Sequence, residues 1–195
     1  MQQRSDLYTV PADLPTPTDD GACDHLEGMV LPSIPLSSTD GRQIDLAALR
    51  GRTVVYIYPR TGRPEQPGSA GWDAIPGARG CTPQSCGFRD HYAELRSLGA
   101  SALYGLSTQT TDYQREVVER LHLPFPLLSD SALVFTRTLR LPTFEFEPYR
   151  DESPIHLKRM ALVILDGRIE KVFYTVFPPD RNAADVMEWL TTNPM

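Results

Sequence analysis

Short runs of consecutive apolar residues alternate along the chain with longer segments in which apolar residues recur every three or four positions. Residues 53–58 form a run of β-branched and aromatic side chains that Pro59 ends, and residues 102–106 form a second run. Runs of this length and composition are typical of strands that are buried on both faces of a sheet. We therefore expect a sheet in which residues 53–58 occupy a central position.

Two further parts of the chain predict antiparallel hairpins. Residues 160–165 and residues 169–174 are extended segments joined by an Asp-Gly pair, and a second Asp-Gly pair lies between the two short extended halves of residues 34–46. Asp-Gly pairs favour tight hairpin turns because these turns need residues that tolerate positive φ angles. Both segments are therefore predicted to contribute paired strands.

Helical periodicity predicts three helices outside the region of residue 81, at residues 111–121, 131–139 and 181–190. Serine and aspartate are good N-cap residues because their side-chain oxygens accept hydrogen bonds from the first backbone N–H groups of a helix. The second of these helices is therefore expected to be entered through Ser129 and Asp130.

A further helix is predicted to begin near residue 81 and to carry two cysteines. Apolar residues on one face of this helix follow at spacings of four, three and three: Phe88, Tyr92, Leu95 and Leu98. Gly99 supplies a C-terminal stop. Proline lacks a backbone N–H and is tolerated only in the first turn of a helix, so Pro83 fixes the start.

The predicted elements follow in the order hairpin, strand, helix, strand, helix, helix, hairpin, helix. Strands that alternate with helices and close on an antiparallel hairpin give a mixed central β-sheet with helices on both faces. The fold class is therefore α/β with a thioredoxin-like fold. Residues 1–28 are rich in proline and aspartate without periodicity and are expected to form an irregular N-terminal arm, and residues 29–195 one domain.

Composition narrows the classes of function. Apolar residues make up 41% of the chain and charged residues 23%, as in an ordinary globular protein. The formal net charge of −6 argues against nucleic acid and anionic membrane surfaces as partners. The sequence contains no apolar run long enough to cross a bilayer and no secretory apolar core near its start. We therefore expect a cytoplasmic protein.

The three cysteines are Cys23, Cys81 and Cys86. They are too few for a disulfide scaffold, and an odd number leaves one unpaired. Cys81 lies at the start of the predicted helix, where unpaired N–H groups and the positive end of the helix dipole stabilise a thiolate. Two thiols on one helix indicate thiol redox chemistry, whereas Cys23 in the arm is interpreted as a spare thiol.

A disulfide between Cys81 and Cys86 would require a change in the helix. In a regular helix, five residues of separation place two α-carbons about 8–9 Å apart and about 140° around the axis. A disulfide needs α-carbons closer than about 7 Å. The first turn would therefore have to unwind, as expected of a catalytic disulfide that forms and breaks.

The four histidines are scattered, and neither they nor the cysteines have the spacing of metal ligands. We therefore expect no metal and no other cofactor. Hydrolysis by a cysteine–histidine pair stays open on spacing alone, because such partners need to meet only in the folded chain.

Residues 80–90, with the sequence GCTPQSCGFRD, closely resemble the active-site helix of the Q-type peroxiredoxins, also called bacterioferritin comigratory proteins. Further segments resemble this family in the same order, namely residues 56–60, 104–107, 127–130 and 159–167. The resemblance covers residues from about 30 to 192. Agreement over five ordered segments is far more specific than a lone pair of cysteines.

This resemblance implies a thiol-dependent peroxidase that reduces hydrogen peroxide or organic hydroperoxides. Cys81 would be the peroxidatic cysteine, Cys86 the resolving cysteine, and Arg159 the arginine that faces the thiolate and holds the peroxide oxygens. Cys81 would become a sulfenic acid, which Cys86 converts into a disulfide. A thioredoxin or a similar dithiol protein would reduce this disulfide. The chain is expected to be a monomer or weak dimer.

The sequence departs from the family pattern Pro-x-x-x-Thr-x-x-Cys, because alanine occupies both the proline and the threonine position before Cys81. A loop insertion of about a dozen residues, at about residues 65–78, would account for this difference. Pro59 would then keep the role of the proline, and Thr61 or Thr82 would supply the hydroxyl that contacts the peroxide.

Two alternatives to the peroxidase use the same thiols. A peroxide-sensing redox-relay protein would oxidise Cys81 and Cys86 but turn over poorly, and the missing threonine favours it slightly. A disulfide reductase of the thioredoxin type would need two cysteines separated by two residues, and this sequence has no such pair.

Overall fold

The computed structural model describes residues 7–66, 68–148 and 153–195. Residues 1–6 of the predicted arm and Pro67 of the predicted insertion lie outside these ranges. The described strands are β1 (Pro35–Ser38), β2 (Gln43–Asp45), β3 (Arg52–Ile57), β4 (Ala100–Ser107), β5 (Leu127–Ser129), β6 (Thr143–Glu145), β7 (Ile155–Leu157), β8 (Met160–Leu165) and β9 (Arg168–Phe173). The described helices are α1 (Cys81–Asp90), α2 (Tyr92–Ser97), α3 (Thr111–Leu121), α4 (Val134–Leu139) and α5 (Asn182–Thr192).

Seven of the strands form one mixed sheet in the order β2-β1-β5-β4-β3-β8-β9. The pairs β3–β4 and β4–β5 are parallel, and the other neighbours are antiparallel. β3 lies between β4 and β8, and all of its residues are buried. The predicted central strand and both predicted hairpins, β1–β2 and β8–β9, are thus confirmed.

Apolar side chains pack against both faces of this sheet. One face is covered by α1, α2, α3 and α5, which contribute Phe88, Leu95, Val117 and Val186. The opposite face is covered by α4 and the arm, which contribute Phe135, Leu139, Cys23 and Leu26. Helices therefore lie on both faces of a mixed sheet, as the element order predicts.

The arm consists of turns and irregular chain over residues 7–28. Its last part is nevertheless integrated into the fold, because Cys23 and Leu26 lie in the core. Just after it, Val30 pairs with Arg168 and covers the edge of β9. An edge strand that is covered in this way is protected against pairing with another chain. The division of the chain at residue 28 stays a prediction.

The predicted continuous helix after residue 81 is wrong at His91, which separates α1 from α2. This residue has φ −98° and ψ 12°, outside the helical region, so the chain bends there. The hydrogen bonds continue across the bend, because the N–H of His91 donates to the carbonyl of Gly87 at 3.1 Å and its own carbonyl accepts from Leu95 at 2.9 Å. The apolar stripe therefore packs into one core.

α4 begins three residues later than predicted, because Leu133 takes a left-handed conformation with φ 58° just before it. Asp130 still caps this helix from a distance. Its carboxylate accepts hydrogen bonds from the N–H groups of Phe135 and Thr136 at 3.1 and 2.7 Å. The prediction is thus right about the capping side chain and wrong about the first helical residue.

The pattern of the sequence did not predict the small sheet formed by β6 and β7, since each of these strands has three residues. An aromatic cluster joins this sheet to the inserted loop. The ring of Trp72 lies 5.7 Å from Phe144, 5.2 Å from Phe146 and 5.2 Å from His156, measured between ring centres. The loop is thereby anchored to the strand that leads into Arg159.

A close approach of β4 and β3 supports α1. A Cβ atom at Gly105 would lie 2.5 Å from Cζ of Tyr56, so the ring of Tyr56 occupies the space left by the glycine. This ring stacks on Phe88 at 4.5 Å, and its hydroxyl donates to Ser85 at 3.1 Å. The central strands therefore fix the position of the helix that carries both cysteines of interest.

Candidate active site

α1 begins at Cys81, where the position of Pro83 predicts its start. Gly80 precedes it with φ 101°, a conformation that favours glycine. A Cβ atom at Gly80 would lie 2.3 Å from Cγ of Pro179, so a larger residue would also clash with the segment before α5. Cys81 therefore lies among the backbone N–H groups that have no acceptor within the helix and that favour negative charge.

Arg159 is distant from Cys81 in the sequence but contacts it in the folded chain. It lies between β7 and β8, and its side chain is only 3% exposed. Nη2 of Arg159 lies 3.2 Å from Sγ of Cys81, which is itself 4% exposed. The structure thus brings together the thiol and the cation that the sequence resemblance pairs.

The guanidinium of Arg159 is held by the end of the inserted loop. Its Nε donates to the carbonyl of Gly77 at 3.2 Å, and its Nη2 faces the carbonyls of Ala78 and Arg79 at 3.1 and 3.0 Å. Backbone carbonyls that converge on a buried cation offset its loss of water and fix its direction. The inserted loop is therefore part of the site.

A second buried link holds Arg159 to α1. Its Nη1 donates to Oε1 of Gln84, and Nε2 of Gln84 donates to Oδ1 of Asn182 at 2.9 Å. Both amide side chains are fully buried. The arginine fixes the orientation of the Gln84 amide, because only its oxygen can accept from a guanidinium. The network therefore runs from the thiol through Arg159 to the first residue of α5.

Sequence reasoning missed Gln84 and Asn182. Gln84 could have been found, since residues three apart on a helix share a face and a polar side chain one turn after Cys81 points toward the same region. Asn182 has no comparable signal, because nothing in its neighbourhood marks it as the partner of a residue almost one hundred positions away.

Cys86 lies within α1 and is partly buried. Burial raises the pKa of its thiol. Cys81 and Cys86 are both free, and as members of one regular helix they are separated by about 8–9 Å between α-carbons. Cys86 is therefore protonated near neutral pH, and a bond between the two sulfurs requires α1 to unwind locally.

The three residues predicted to contact the peroxide are all buried, but they make different contacts. Pro59 lies two residues after the end of β3, and Thr82 is the second residue of α1. The hydroxyl of Thr61 donates to Oε1 of Gln109 at 3.1 Å, and its backbone N–H donates to the same oxygen at 3.0 Å. The hydroxyl of Thr61 thus donates its proton to Gln109. The contact of Pro59, Thr61 or Thr82 with the peroxide stays a prediction.

Cys23 lies apart from this site. It is buried in the core, and its Sγ lies 3.9 Å from Sδ of Met160. Burial, together with three nearby aspartates, raises the pKa of Cys23 to about 12. A thiol with this pKa is a poor nucleophile at neutral pH, which agrees with its interpretation as a spare thiol.

The described part of the chain holds neither a candidate metal site nor a membrane-spanning helix. No group of three or more histidine, cysteine, aspartate or glutamate side chains in the ranges 7–66, 68–148 and 153–195 could hold a metal ion. None of the helices in this part of the chain has the length and apolar character needed to cross a membrane.

Comparison with known proteins identifies the family. The profile of the family described as Redoxin matches residues 26–187. The chloroplastic peroxiredoxin Q of Gentiana triflora is 25% identical over 190 residues, which are 94% of this chain and 77% of that protein. Peroxiredoxin Bcp of Escherichia coli (strain K12) is 29% identical over 165 residues, which are 84% of this chain and 94% of that protein. The chain spans 66% of the peroxiredoxin Q of Oryza sativa subsp. japonica.

Solved structures show the same fold. Peroxidoxin BcpB of Mycobacterium tuberculosis has a TM-score of 0.66 and 22% identity, with 87% of this chain and 99% of that chain covered. PrxQ of Xylella fastidiosa has a TM-score of 0.65 and 19% identity, with 86% and 96% covered. These similarities confirm the predicted thioredoxin-like fold. Together with the family match, they show that the chain belongs to the redoxin family and is a Q-type peroxiredoxin, a thiol-dependent peroxidase.

Proposed function

We propose that Cys81 is the nucleophile that attacks the peroxide. The contact of 3.2 Å between its sulfur and Nη2 of Arg159, at the start of a helix, is the observation that supports this role best. The thiolate takes the terminal oxygen of the peroxide as the O–O bond breaks, and the rest of the peroxide leaves with a proton as water or an alcohol. Cys81 becomes a sulfenic acid.

Arg159 stabilises the charge that moves during this step. Negative charge shifts from sulfur to the leaving oxygen, and a guanidinium offers several donors in one plane to both positions. Because the loop carbonyls and Gln84 already hold the guanidinium, it needs little reorganisation when the peroxide binds. The low exposure of Cys81 and Arg159 strengthens these interactions by keeping water away.

Pro59 and a threonine hydroxyl complete the proposed peroxide site. Pro59 is buried, and its proposed role is to shield the thiolate from water. The bond between Thr61 and Gln109 favours Thr82 as the hydroxyl that contacts the peroxide, since Thr82 is adjacent to Cys81 in the first turn of α1. Thr61 would have to leave Gln109 to take this role.

Cys86 is the proposed resolving cysteine, and a thioredoxin-type dithiol is the proposed reductant. The thiol of Cys86 condenses with the sulfenic acid of Cys81, which releases water and forms a disulfide. Two electrons and two protons from the dithiol then restore both thiols. The proposed location is the cytoplasm, where thiols are kept reduced.

The proposed oligomeric state is a monomer or weak dimer. Large apolar side chains that are exposed in the described part of the chain are scattered along it: Tyr8, Val30, Val134 and Met195. These few exposed side chains supply little of the apolar area that a stable interface needs.

Sustained turnover distinguishes the peroxidase from a peroxide-sensing relay. We expect the protein to consume hydrogen peroxide over many cycles when it is supplied with thioredoxin, thioredoxin reductase and NADPH, because the disulfide is restored after each reaction. The loss of NADPH absorbance measures this turnover. The Cys86→Ser variant is the control and should stop after about one equivalent of peroxide. A wild-type protein that also stopped there would be a sensor.

The intramolecular disulfide is a separate prediction. After addition of one equivalent of peroxide, mass spectrometry of the digested protein should show a peptide in which Cys81 is linked to Cys86. Helical content measured by circular dichroism should fall with the same time course, because the first turn of α1 must unwind for the sulfurs to meet. A bridge to Cys23, or a stable sulfenic acid, would contradict the assignment of Cys86.

A further inference from the structure

The irregular arm contacts two residues that adjoin Arg159. Lys158, its neighbour in the chain, donates from Nζ to Oδ2 of Asp20 at 2.7 Å. Gly77, whose carbonyl accepts from Nε of Arg159 at 3.2 Å, packs against Pro17, since a Cβ atom at this glycine would lie 3.6 Å from Cγ of the proline. Two arm residues three positions apart therefore contact two different neighbours of the guanidinium.

The carboxylate of Asp20 joins the two ends of the hairpin formed by β8 and β9. Its Oδ2 accepts from Lys158 just before β8, and its Oδ1 accepts from the hydroxyl of Tyr174 just after β9 at 2.8 Å. The hydrogen bond from Lys158 is the main reason that the pKa of Asp20 is lowered to about 2, so the carboxylate is ionised at neutral pH. Burial and the bond to Asp20 raise the pKa of Tyr174, whose hydroxyl therefore stays protonated and donates.

The arm can hold Asp20 in place because the end of the arm is itself fixed. Leu26 is fully buried in the core, and Nε2 of His25 lies 2.8 Å from the carbonyl oxygen of Leu139 at the end of α4. Closer to the carboxylate, the N–H of Ala22 donates to Oδ1 of Asp20 at 3.2 Å. The carboxylate therefore belongs to a segment with its own tertiary contacts.

Arg159 makes its contacts from a short link between two strands. The link consists of Lys158 and Arg159, since β7 ends at residue 157 and β8 begins at residue 160. A displacement of about 1 Å in a reactive site can lower a rate by about a hundredfold. A contact that fixes the first residue of the link therefore bears on the distance of 3.2 Å between Nη2 of Arg159 and Sγ of Cys81.

We propose that Asp20 is a positioning residue of the peroxidase, which holds Arg159 against Cys81 through its contact with Lys158. This inference rests on the proposed function, in which Arg159 stabilises the charge that moves during the reaction. A direct effect of the Asp20 charge has the opposite sign, because a nearby negative charge disfavours the thiolate. Removal of the carboxylate separates the two effects: the loss of position lowers the rate, whereas the loss of negative charge raises it.

Replacement of Asp20 by alanine tests the position. We expect Asp20→Ala to lower the second-order rate constant of Cys81 oxidation by hydrogen peroxide about tenfold, measured by single-turnover stopped-flow mixing. The double variant Asp20→Ala with Lys158→Met keeps the net charge of the pair and lacks the contact, so it should be as slow as Asp20→Ala. If Asp20→Ala reacted as fast as the wild-type protein or faster, or if the double variant recovered the wild-type rate, the inference would be wrong.

Glu27 provides a matched control within the same arm. Its Oε1 accepts from Nζ of Lys171 at 2.7 Å, the distance found for Asp20 and Lys158. The exposed fractions of the side chains are also similar, 48% and 34% for this pair and 45% and 36% for the other. Because Lys171 lies within β9, Glu27→Ala should leave the rate constant unchanged. An equal loss of rate in Glu27→Ala would overturn a specific role of Asp20.

The order of the arginine side chain gives a readout without peroxide. In the reduced wild-type protein, the Nε–H of Arg159 is buried and donates to Gly77, so its hydrogen exchange with solvent should be slow. We expect this exchange to be about tenfold faster in Asp20→Ala. NMR of the side-chain N–H groups measures it, and absence of the signal from Arg159→Lys assigns it. Unchanged exchange in an Asp20→Ala protein that reacts slowly would contradict an effect through Arg159.

Failure of the proposed function has a different signature. Arg159→Lys would then react as fast as the wild-type protein, or Cys81 of the wild-type protein would not react with peroxide at all. A slow Arg159→Lys protein beside an Asp20→Ala protein with the wild-type rate would overturn only the positioning role of Asp20.

Discussion

Replacement of Cys81 by serine is expected to abolish the rapid consumption of one equivalent of hydrogen peroxide. A serine hydroxyl stays protonated near neutral pH and is a far weaker nucleophile than a thiolate, so the helix start and the cation of Arg159 have no ionised group to assist. We expect the rate to fall by about a thousandfold or more, to the level of a protein without the site. Stopped-flow mixing of reduced protein with peroxide measures the effect.

The other two cysteines provide the controls for this prediction. Cys86→Ser should keep the first rapid reaction and lose disulfide formation. Cys23→Ser should keep both, because Cys23 is buried against Met160 and its pKa is raised to about 12 by burial. Rapid consumption of peroxide by the Cys81→Ser protein would show that a different group is the nucleophile, and the proposed mechanism would have to be abandoned.

Local patterns in the sequence predicted the elements that build the site. The apolar run at residues 53–58 gave β3, shifted by one residue, and the helical pattern at residues 111–121 gave α3 with the same bounds. Pro83 located the start of α1 and therefore the position of Cys81. These predictions succeeded because strand burial, helix periodicity and the missing N–H of proline act over a few neighbouring residues.

The contacts that complete the site could not be predicted in the same way. The pairing of Arg159 with Cys81 came from the family resemblance, because no local pattern connects residues 78 positions apart. The carbonyls of Gly77, Ala78 and Arg79 have no sequence signature, since every residue carries a carbonyl and only its direction matters. The loop that departs from the family pattern therefore supplies contacts that only the folded chain reveals.

The strands β6 and β7 could not be predicted from local sequence patterns either. Each has three residues, which is too short for alternation to be recognised. Their importance is tertiary, because Phe144 and His156 pack on Trp72 and so attach the inserted loop to the strand that leads to Arg159. The position of the Arg159 guanidinium is thus supported by packing between two segments that sequence periodicity did not predict.

Replacement of Arg159 by lysine is expected to lower the second-order rate constant of Cys81 oxidation by about a hundredfold to a thousandfold, the usual effect of losing an oriented donor to a developing negative charge. Lysine keeps the positive charge but cannot donate in one plane to the loop carbonyls, to Gln84 and to the sulfur together. The positive charge of a lysine is therefore not expected to replace the oriented donors of the guanidinium. Stopped-flow oxidation by hydrogen peroxide gives the rate constant, and circular dichroism checks that the variant is folded.

Arg52 provides a matched control for the burial of a guanidinium, because its side chain and that of Arg159 are both 3% exposed. Arg52 pairs with Glu170 at 2.8 Å and donates to the carbonyl of Asn193, away from the thiol. Arg52→Lys should therefore lower the free energy of unfolding and leave the rate of Cys81 oxidation unchanged. If Arg159→Lys also lost stability but reacted with peroxide as fast as the wild-type protein, Arg159 would be a structural residue, and the helix start alone would have to activate Cys81.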